Sequence, residues 1–346
     1  MLKQLKRFGN KITSANFRLY YIFATIIFII PNTGAFAQAS IEVLSEDRFE
    51  IIIEDDENSP ITILQVTDLH LGGTNDEKLK KDLITFRRIR KLVETYDPSM
   101  IAITGDLFTG EKPFGALLAA YAMNFFDSFD RPWLYVFGNH DPEGGFGRSD
   151  IAEVFSKSKW AILGNHSVNS KWKVKYDYLV DVKYKGENSP AWQIYAFDSG
   201  SEKGYKSIKK DQLDWYRKLS SNTVENHNQK IRAISIFHIP LIEYQYLQDD
   251  KSIKKYGESR ENVYYEEDDG TVYKTFLEVD NIEATFCGHD HYNNYWGRYK
   301  GGITLAYGYI SGESTNYAWP PGGKLITLPC NKGEILIQNV VPILED

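Results

Sequence analysis

Short apolar runs alternate with longer amphipathic segments along the first half of the chain. Ile61–Val66 is a mainly apolar run of strand length. Residues 79–96 then place apolar side chains at every third or fourth position, the period of a helix with one buried face. Met100–Thr104 and residues 133–137 repeat the strand pattern on either side of a second predicted helix, residues 114–126. Because strands that alternate with helices usually pair in parallel, this pattern predicts an α/β fold.

The second half of the chain is richer in strand patterns than in helix patterns. Strands are predicted at residues 178–183, 193–197, 231–237, 284–287, 303–307, 325–328 and 335–340, and helices at residues 212–219 and 275–280. Polar loops are predicted at residues 187–190, 221–229 and 266–270, and the acidic run within the last of these is expected to face solvent rather than bind a metal. No repeat or domain-sized linker is visible, so we expect one domain over residues 41–346.

The first 37 residues have the pattern of a signal peptide. Five basic residues and no acidic ones precede or flank an uncharged run at residues 19–30, and Ala35 and Ala37 supply small residues for cleavage. Twelve residues are fewer than the ~20 that span a bilayer. The sequence therefore predicts export to the periplasm or the extracellular space, with no stable membrane span after cleavage; an uncleaved signal anchor is the alternative. Cys287 and Cys330 are then available for a disulfide, although sequence alone does not show that they meet.

Composition excludes several classes of protein. Apolar residues make up 42% and charged residues 25% of the 346 residues, which is ordinary for a globular chain and excludes a disordered or multi-span membrane protein. Two cysteines are too few for a cysteine-ligated structural zinc site. The formal net charge is −7, and removal of residues 1–37 leaves 35 basic and 47 acidic residues, a net charge of −12. We therefore expect no nucleic-acid partner.

Candidate metal ligands follow the predicted strands where each strand ends. Five of the seven histidines lie at such ends, and only His166 and His227 do not. Since functional sites of α/β sheets form just beyond the carboxyl ends of the strands, these side chains are expected to converge. The residues concerned are Asp68 and His70, Asp106, Asn139 with His140 and Asp141, His238, and His289 with His291.

The ordered set resembles the calcineurin-like metallophosphoesterase superfamily. The matching motifs are Thr67-Asp68-Leu69-His70, Gly105-Asp106, Gly138-Asn139-His140-Asp141, the segment that begins at Phe237-His238, and GHDHYNNYWGR from Gly288 to Arg298. The first motif is most similar to the purple-acid-phosphatase-like branch that carries Asp-x-His. The resemblance implies a four-layer αββα sandwich of two mixed β-sheets flanked by helices, with a dimetal site at the carboxyl ends of the strands.

The resemblance also implies which residues bind the metals. Asp68, His70, Asp106 and His291 would hold one ion, Asp106, Asn139, His238 and His289 the other, and Asp106 would bridge them. Carboxylates and imidazoles suit iron, manganese or zinc, as divalent or trivalent ions. Purple acid phosphatases proper carry a glycine at the position of His70 and a tyrosine at that of Thr109, so the identity of the metals stays open here.

The implied reaction is hydrolysis of phosphate monoesters by direct attack of a metal-bridging hydroxide. His140 would face the phosphoryl group, stabilise its charge and protonate the leaving oxygen, and Asp141 would hold the His140 ring; the alternative for Asp141 is a loop-capping role. Asp290 would orient a ligand. A small phosphate ester is the expected substrate, with a phosphoprotein also possible, and Arg148, Tyr292, Asn293 and Tyr309 are candidates to line the pocket. The rival functions are phosphodiester or nucleotide hydrolysis on the same core, and a catalytically silent binding module.

Overall fold

The computed structural model describes residues 39–72, 76–110, 115–164, 176–200 and 206–344. Within them the strands are β1 (Ala39–Ser45), β2 (Arg48–Ile53), β3 (Ile61–Val66), β4 (Met100–Thr104), β5 (Trp133–Val136), β6 (Ala161–Ile162), β7 (Tyr178–Tyr184), β8 (Trp192–Ala196), β9 (Ala233–Ile236), β10 (Lys255–Tyr256), β11 (Ile282–Cys287), β12 (Trp296–Arg298), β13 (Thr304–Tyr307), β14 (Gly323–Leu328) and β15 (Leu336–Val340). The α-helices are α1 (Asp76–Tyr96), α2 (Gly115–Asp127), α3 (Arg148–Phe155), α4 (Lys210–His227), α5 (Ile242–Asp249) and α6 (Thr271–Val279). The predicted signal peptide, residues 1–37, and His166 lie outside the described residues.

The six-stranded sheet has the order β15-β14-β3-β4-β5-β6. Its strands β3, β4, β5 and β6 are parallel, and β14 pairs antiparallel with β3. The register places Ile63 beside Met100 and Ile101 beside Trp133. The carboxyl ends of β3, β4 and β5 therefore lie at one edge of this sheet, where the three motifs that follow them begin.

The nine-stranded sheet has the order β1-β2-β7-β8-β9-β11-β13-β12-β10. Its centre is parallel: β8 pairs with β9, β9 with β11, and β11 with β13 in the same direction. Hairpin pairing of β1 with β2 and of β12 with β13 makes the sheet mixed. His238 follows β9 and His289 follows β11, so the ligand-bearing loops of this sheet also leave from neighbouring carboxyl ends.

Three apolar clusters lie between four layers. One cluster joins the facing sides of the two sheets and includes Ile63 and Leu134 from one sheet and Val180 and Ile234 from the other. The second packs the outer side of the six-stranded sheet against α1, α2 and α3. The third packs the outer side of the nine-stranded sheet against α4, α5 and α6. The predicted αββα sandwich of two mixed sheets is confirmed.

Several predicted boundaries need correction. The polar segment 221–229 is not a loop, because α4 continues to His227, whose Nδ1 lies 3.2 Å from Oγ of Ser189. The β1–β2 hairpin and helices α3 and α5 were not predicted. The acidic run is not fully solvated, because Asp268 is buried and accepts a hydrogen bond from the backbone N–H of Ile242. None of the described helices is long and apolar enough to cross a membrane.

Candidate dimetal centre

The first candidate metal group joins the loop after β3 to the loop after β11. Asp68, His70 and His291 place one ligand atom each within 4.8 Å of one another. Nε2 of His70 lies 3.1 Å from Nε2 of His291, and Oδ1 of Asp68 lies 3.9 and 3.6 Å from the same two nitrogens. Two imidazole nitrogens that face each other across a carboxylate oxygen form a donor set that suits a transition metal.

The second candidate group joins the loops after β4, β9 and β11. Its members are Asp106, His238 and His289, again with ligand atoms within 4.8 Å. Oδ1 of Asn139 lies 3.0 Å from Nε2 of His238, so the predicted amide ligand lies beside this group. The His238 and His289 rings meet edge to face, with centroids 5.1 Å apart. The structure therefore brings together all seven predicted ligands.

One carboxylate oxygen lies between the two groups. Oδ2 of Asp106 is 3.7 Å from Nε2 of His70 and 3.2 Å from Nε2 of His238. The other oxygen, Oδ1, accepts a hydrogen bond of 2.8 Å from the backbone N–H of His140, which fixes the orientation of the carboxylate. Since Oδ2 faces a histidine of each group, the residues present fit a pair of ions with Asp106 as the shared ligand.

The environment of each histidine sets its protonation state, which differs between His238 and the pair His70 and His289. Nδ1 of His238 lies 2.8 Å from the carbonyl oxygen of Thr104, a contact in which Nδ1 donates and Nε2 is turned to Asp106. Burial lowers the pKa of His70 to about 4, and burial together with the charge of His238 lowers the pKa of His289 to about 3. At neutral pH both rings are therefore uncharged and have a lone pair for a metal. Burial opposes protonation of His238, but the Asp106 carboxylate outweighs it and raises the pKa of His238 to about 10.

The backbone of the site is left-handed at several of the predicted ligands. Four of the seven predicted ligands adopt positive φ angles, namely Asp68 (54°), His70 (48°), Asp106 (49°) and His289 (79°). Gly138 allows the β5 loop to approach the centre, because a Cβ atom there would lie 2.1 Å from Oδ1 of Asp106. Residues other than glycine rarely adopt such φ values, so the surrounding hydrogen bonds must hold the backbone of these four residues in place.

His140 lies at the rim of the centre. Its ring centroid is 5.2 Å from that of His70, and 37% of its side chain is exposed. Its Nδ1 lies 2.7 Å from Oε1 of Glu143. The side chain of His140 therefore lies beside the centre and is also accessible to a molecule that enters from solvent.

The structure gives Asp141 a different set of partners from the one predicted. Its fully buried carboxylate accepts hydrogen bonds from the backbone N–H groups of Asp106, Phe108 and Gly138, at 3.1, 2.9 and 2.7 Å. Burial raises the pKa of Asp141 to about 6. The ring of His140 is held instead by Glu143, so the loop-capping alternative describes the contacts of Asp141.

Sequence reasoning missed three acidic residues near the centre. Glu143 was missed although its position three residues after His140 is a usual spacing for a contact across a turn. Oε1 of Glu266 lies 3.9 Å from Nε2 of His289, so the acidic run does reach the site. Glu261 accepts a hydrogen bond of 2.6 Å from the N–H of Tyr292, and the charge of His291 influences its pKa, which burial raises overall.

The remaining candidates contact residues outside the two ligand groups. Nη2 of Arg148 lies 2.5 Å from Oδ1 of Asp198, and its guanidinium covers the Phe137 ring. Asn293 is buried and accepts hydrogen bonds from the N–H groups of Arg260 and Glu261, while Tyr309 is buried beside Trp319. Asp290 accepts hydrogen bonds from the Tyr307 hydroxyl and the Tyr264 N–H rather than from a histidine.

The two cysteines do not pair. Cys287 is buried at the end of β11 and Cys330 is exposed, and both are free thiols. In the described part of the chain neither belongs to a candidate metal group. The centre is therefore built from carboxylate, imidazole and amide donors.

Comparison with known proteins points to the same family as the geometry. The model of the calcineurin-like phosphoesterase family matches residues 61–293. A protein of Arabidopsis thaliana named probable inactive purple acid phosphatase 28 is 30% identical over 282 residues, which are 71% of this chain and 69% of that protein. Phosphatase DCR2 of Saccharomyces cerevisiae is 25% identical over 273 residues, or 70% of this chain and 46% of the yeast protein.

Solved structures were also found to be similar. A dimetal phosphatase from Danio rerio aligns over 80% of this chain and 98% of its own, with 12% identity and a TM-score of 0.48. The family match and the relatives named as purple acid phosphatases agree with the Asp-x-His motif and the two ligand groups. The chain belongs to the calcineurin-like phosphoesterase family, with purple-acid-phosphatase-like proteins among its relatives.

Proposed function

We propose that this protein is a two-metal hydrolase of phosphate monoesters. The single observation that carries the proposal is the position of Oδ2 of Asp106, 3.7 and 3.2 Å from a histidine nitrogen of each group. Two bound ions would polarise the phosphoryl oxygens and lower the pKa of a water held between them. The donor set of carboxylates, imidazoles and one amide supports iron, manganese or zinc as the metals.

The site residues have two proposed roles, metal binding and proton donation. Asp68, His70 and His291 hold one side of the centre, Asn139, His238 and His289 the other, and Asp106 fixes the spacing. His140 presents its ring to the phosphoryl group, where a donor stabilises the charge that develops in the transition state. The same ring is placed to give a proton to the leaving oxygen. The phosphorus is attacked by water directly, and no side chain serves as the nucleophile.

Retention of the complete site supports an active enzyme over a silent binding module. The word "inactive" in the name of the Arabidopsis relative describes that protein. In this chain all seven predicted ligands converge, and His140 lies beside His70 with its side chain partly exposed. A binding module would have no use for a proton donor at the rim of the centre.

The substrate and the compartment belong to the same proposal. A small phosphate ester is the proposed substrate, and the signal-peptide pattern of residues 1–37 supports export. Amino-terminal sequencing of protein recovered from the exported fraction tests this part. A first residue at or near Gln38 is expected, and an intact Met1 in a membrane fraction would favour the signal anchor.

The decisive experiment compares substrates and variants in parallel. Nitrophenyl phosphate and bis-nitrophenyl phosphate are assayed at one pH, with phosphoserine peptides and nucleotides as further substrates. The monoester is expected to be hydrolysed faster, and a faster diester or nucleotide reaction would replace the proposed substrate class. Asp106→Asn is expected to reduce monoester hydrolysis at least about a thousandfold, since the loss of a shared ligand removes several kcal/mol of transition-state stabilisation.

The matched control for that variant is Asp214→Asn, an exposed aspartate on α4 that pairs with Lys210. It makes the same change of charge outside the site and should leave the rate unchanged. Metal content is measured for each protein. Full activity of Asp106→Asn would refute the mechanism, and purified wild-type protein with neither metal nor turnover would support the binding module.

A further inference from the structure

We infer that Glu143 is a positioning residue that holds the His140 ring in its catalytic orientation. The inference rests on the proposed function for its kinetic consequence, but the geometry that carries it is independent of substrate. Glu143 opens a short 3-10 turn, Glu143–Gly145, and its backbone N–H donates to the carbonyl oxygen of His140 at 3.1 Å. This bond closes the preceding turn, from His140 to Glu143, and brings the side chains of these two residues together.

Each carboxylate oxygen of Glu143 has its own partner. Oε1 lies 2.7 Å from Nδ1 of His140. Oε2 accepts a hydrogen bond of 2.5 Å from the backbone N–H of Gly110 and lies 3.4 Å from Oγ1 of Thr109. Thr109 and Gly110 belong to the loop after β4, which also contains the shared ligand Asp106. Glu143 therefore ties the His140 ring to the loop that carries the central carboxylate.

The contact also fixes which nitrogen of His140 faces the reaction. A carboxylate beside Nδ1 requires Nδ1 to carry a proton, so Nε2, on the opposite edge of the ring, is the nitrogen that faces the substrate, and it donates when both ring nitrogens carry a proton. Among the described residues, no hydrogen bond engages Nε2 of His140. Because Glu143 holds the ring in one rotamer, Nε2 is directed to the phosphoryl group before the reaction begins. The entropic cost of reaching the transition state is therefore lower.

Asp141 does not compete for this role. Three backbone N–H groups occupy its carboxylate, two of them in the Asp106 loop and one at Gly138. Asp141 thus fixes the backbone of the two loops, while Glu143 fixes the ring. This division explains why two acidic residues follow His140 within three positions.

The kinetic test compares Glu143→Ala, His140→Ala, the double variant and Glu153→Ala. Glu153 lies nearby on α3 with 80% of its side chain exposed, and its substitution is the matched control. Glu143→Ala is expected to lower kcat about 10- to 100-fold, with KM and metal content unchanged. The loss should be larger with phenyl phosphate than with nitrophenyl phosphate, because the poorer leaving group depends more on a well-placed proton donor.

The double variant separates a positioning role from a merely structural one. If Glu143 acts through His140, then Glu143→Ala costs nothing further when His140 is already alanine. A further 10-fold loss in that background, or a loss of metal with the single variant, would overturn the inference. Glu143→Gln is expected to recover part of the rate, because its one carbonyl oxygen can accept from Nδ1 of His140 but then cannot also accept from Gly110.

A spectroscopic measurement keeps the inference testable without turnover. Long-range ¹H–¹⁵N NMR of the metal-loaded protein reports which ring nitrogen carries the proton, and the His140 signals are assigned from their absence in His140→Ala. We expect a protonated Nδ1 in the wild type and a changed Nδ1 shift in Glu143→Ala but not in Glu153→Ala. An unprotonated Nδ1 in the wild type would refute the role of Glu143, whereas a wild type with this signature and no turnover would refute the proposed function alone.

Discussion

Nε2 of His238 lies 3.2 Å from Oδ2 of Asp106, and both side chains are almost completely buried. Burial opposes a charge on His238, but the carboxylate outweighs it and raises the pKa of the ring to about 10. When no metal is bound, His238 is therefore protonated at neutral pH and forms an ion pair with the Asp106 carboxylate. A cation that binds at Oδ2 and Nε2 takes the place of that proton.

Proton release on metal binding is the first prediction. At pH 7 the metal-free His238 ring is protonated, since pH 7 is below its pKa of about 10. Because a ligating imidazole must be unprotonated, binding at the second group should release about one proton per site. Calorimetric titrations in buffers of different ionisation enthalpy measure this number. His238→Gln should abolish the release, and no buffer dependence in the wild type would contradict the prediction.

His140→Ala should separate catalysis from metal binding. The variant removes the proton donor at the rim, so turnover is expected to fall about 10²- to 10⁴-fold. Metal content should remain close to that of the wild type, since the ring of His140 belongs to neither ligand group. Elemental analysis and initial rates are measured on the same preparation. Equal losses of metal and activity would mean that His140 is a ligand.

Gly138→Ala should displace the shared ligand without changing any ligand residue. The added Cβ would lie 2.1 Å from Oδ1 of Asp106 and 2.3 Å from its backbone nitrogen, so the carboxylate must move. We expect loss of most activity and a decrease of about 1–3 kcal/mol in the free energy of unfolding. Gly147→Ala is the control, because a Cβ atom there would lie 3.7 Å from Oδ2 of Asp150, an ordinary van der Waals contact. Normal metal content and rate in Gly138→Ala would show that the centre tolerates the shift.

We expect Glu243, which lies outside the metal centre, to make the free energy of unfolding depend on pH. Burial and the neighbouring Asp268 raise the pKa of Glu243 to about 7 from an ordinary value of 4.5. Between these values the folded state binds more protons than the unfolded state, so this residue makes stability fall as pH rises from about 4.5 to about 7. Glu243→Gln should remove the effect and stabilise the protein at pH 8 by about 1–2 kcal/mol, after allowance for partial exposure.

Urea unfolding at pH 5 and pH 8 measures this difference. The gain from Glu243→Gln should be smaller at pH 5, where more of the carboxyl group is already protonated. Glu225→Gln, on the exposed side of α4, is the matched control and should change neither value. An equal gain at both pH values would point to packing rather than to ionisation.

The convergence of the candidate ligand side chains was predictable from the ends and the parallel pairing of the strands, whereas their assignment as metal ligands rests on the family resemblance. Asp68, Asp106 and Asn139 each follow a parallel strand of one sheet, and the pairing of β3, β4 and β5 brings their carboxyl ends together. Hydrophobic runs reveal such strands without knowledge of the loops. The same reasoning placed His238 and His289 directly after two strands, which the structure shows to be neighbours in the second sheet.

Contacts made by turns and charged loops were harder to predict. Glu143 reaches His140 because one backbone hydrogen bond closes a turn; the spacing of three residues allows this contact but does not show that the turn forms. Asp268 looks like part of a solvated acidic run, yet it binds the first backbone N–H of α5. The strand β2 did carry a signal, the alternation of buried Phe49, Ile51 and Ile53, but its neighbours are rich in charge.

The left-handed backbone at Asp68, His70, Asp106 and His289 places a limit on how this protein can be made more stable. Each such residue costs of the order of 1–3 kcal/mol relative to one that adopts the same angles freely. Replacement by glycine would relieve that cost while deleting a ligand. Selection for thermal resistance alone would therefore tend to erase the metal centre, and any stabilised variant must be screened for metal retention at every round.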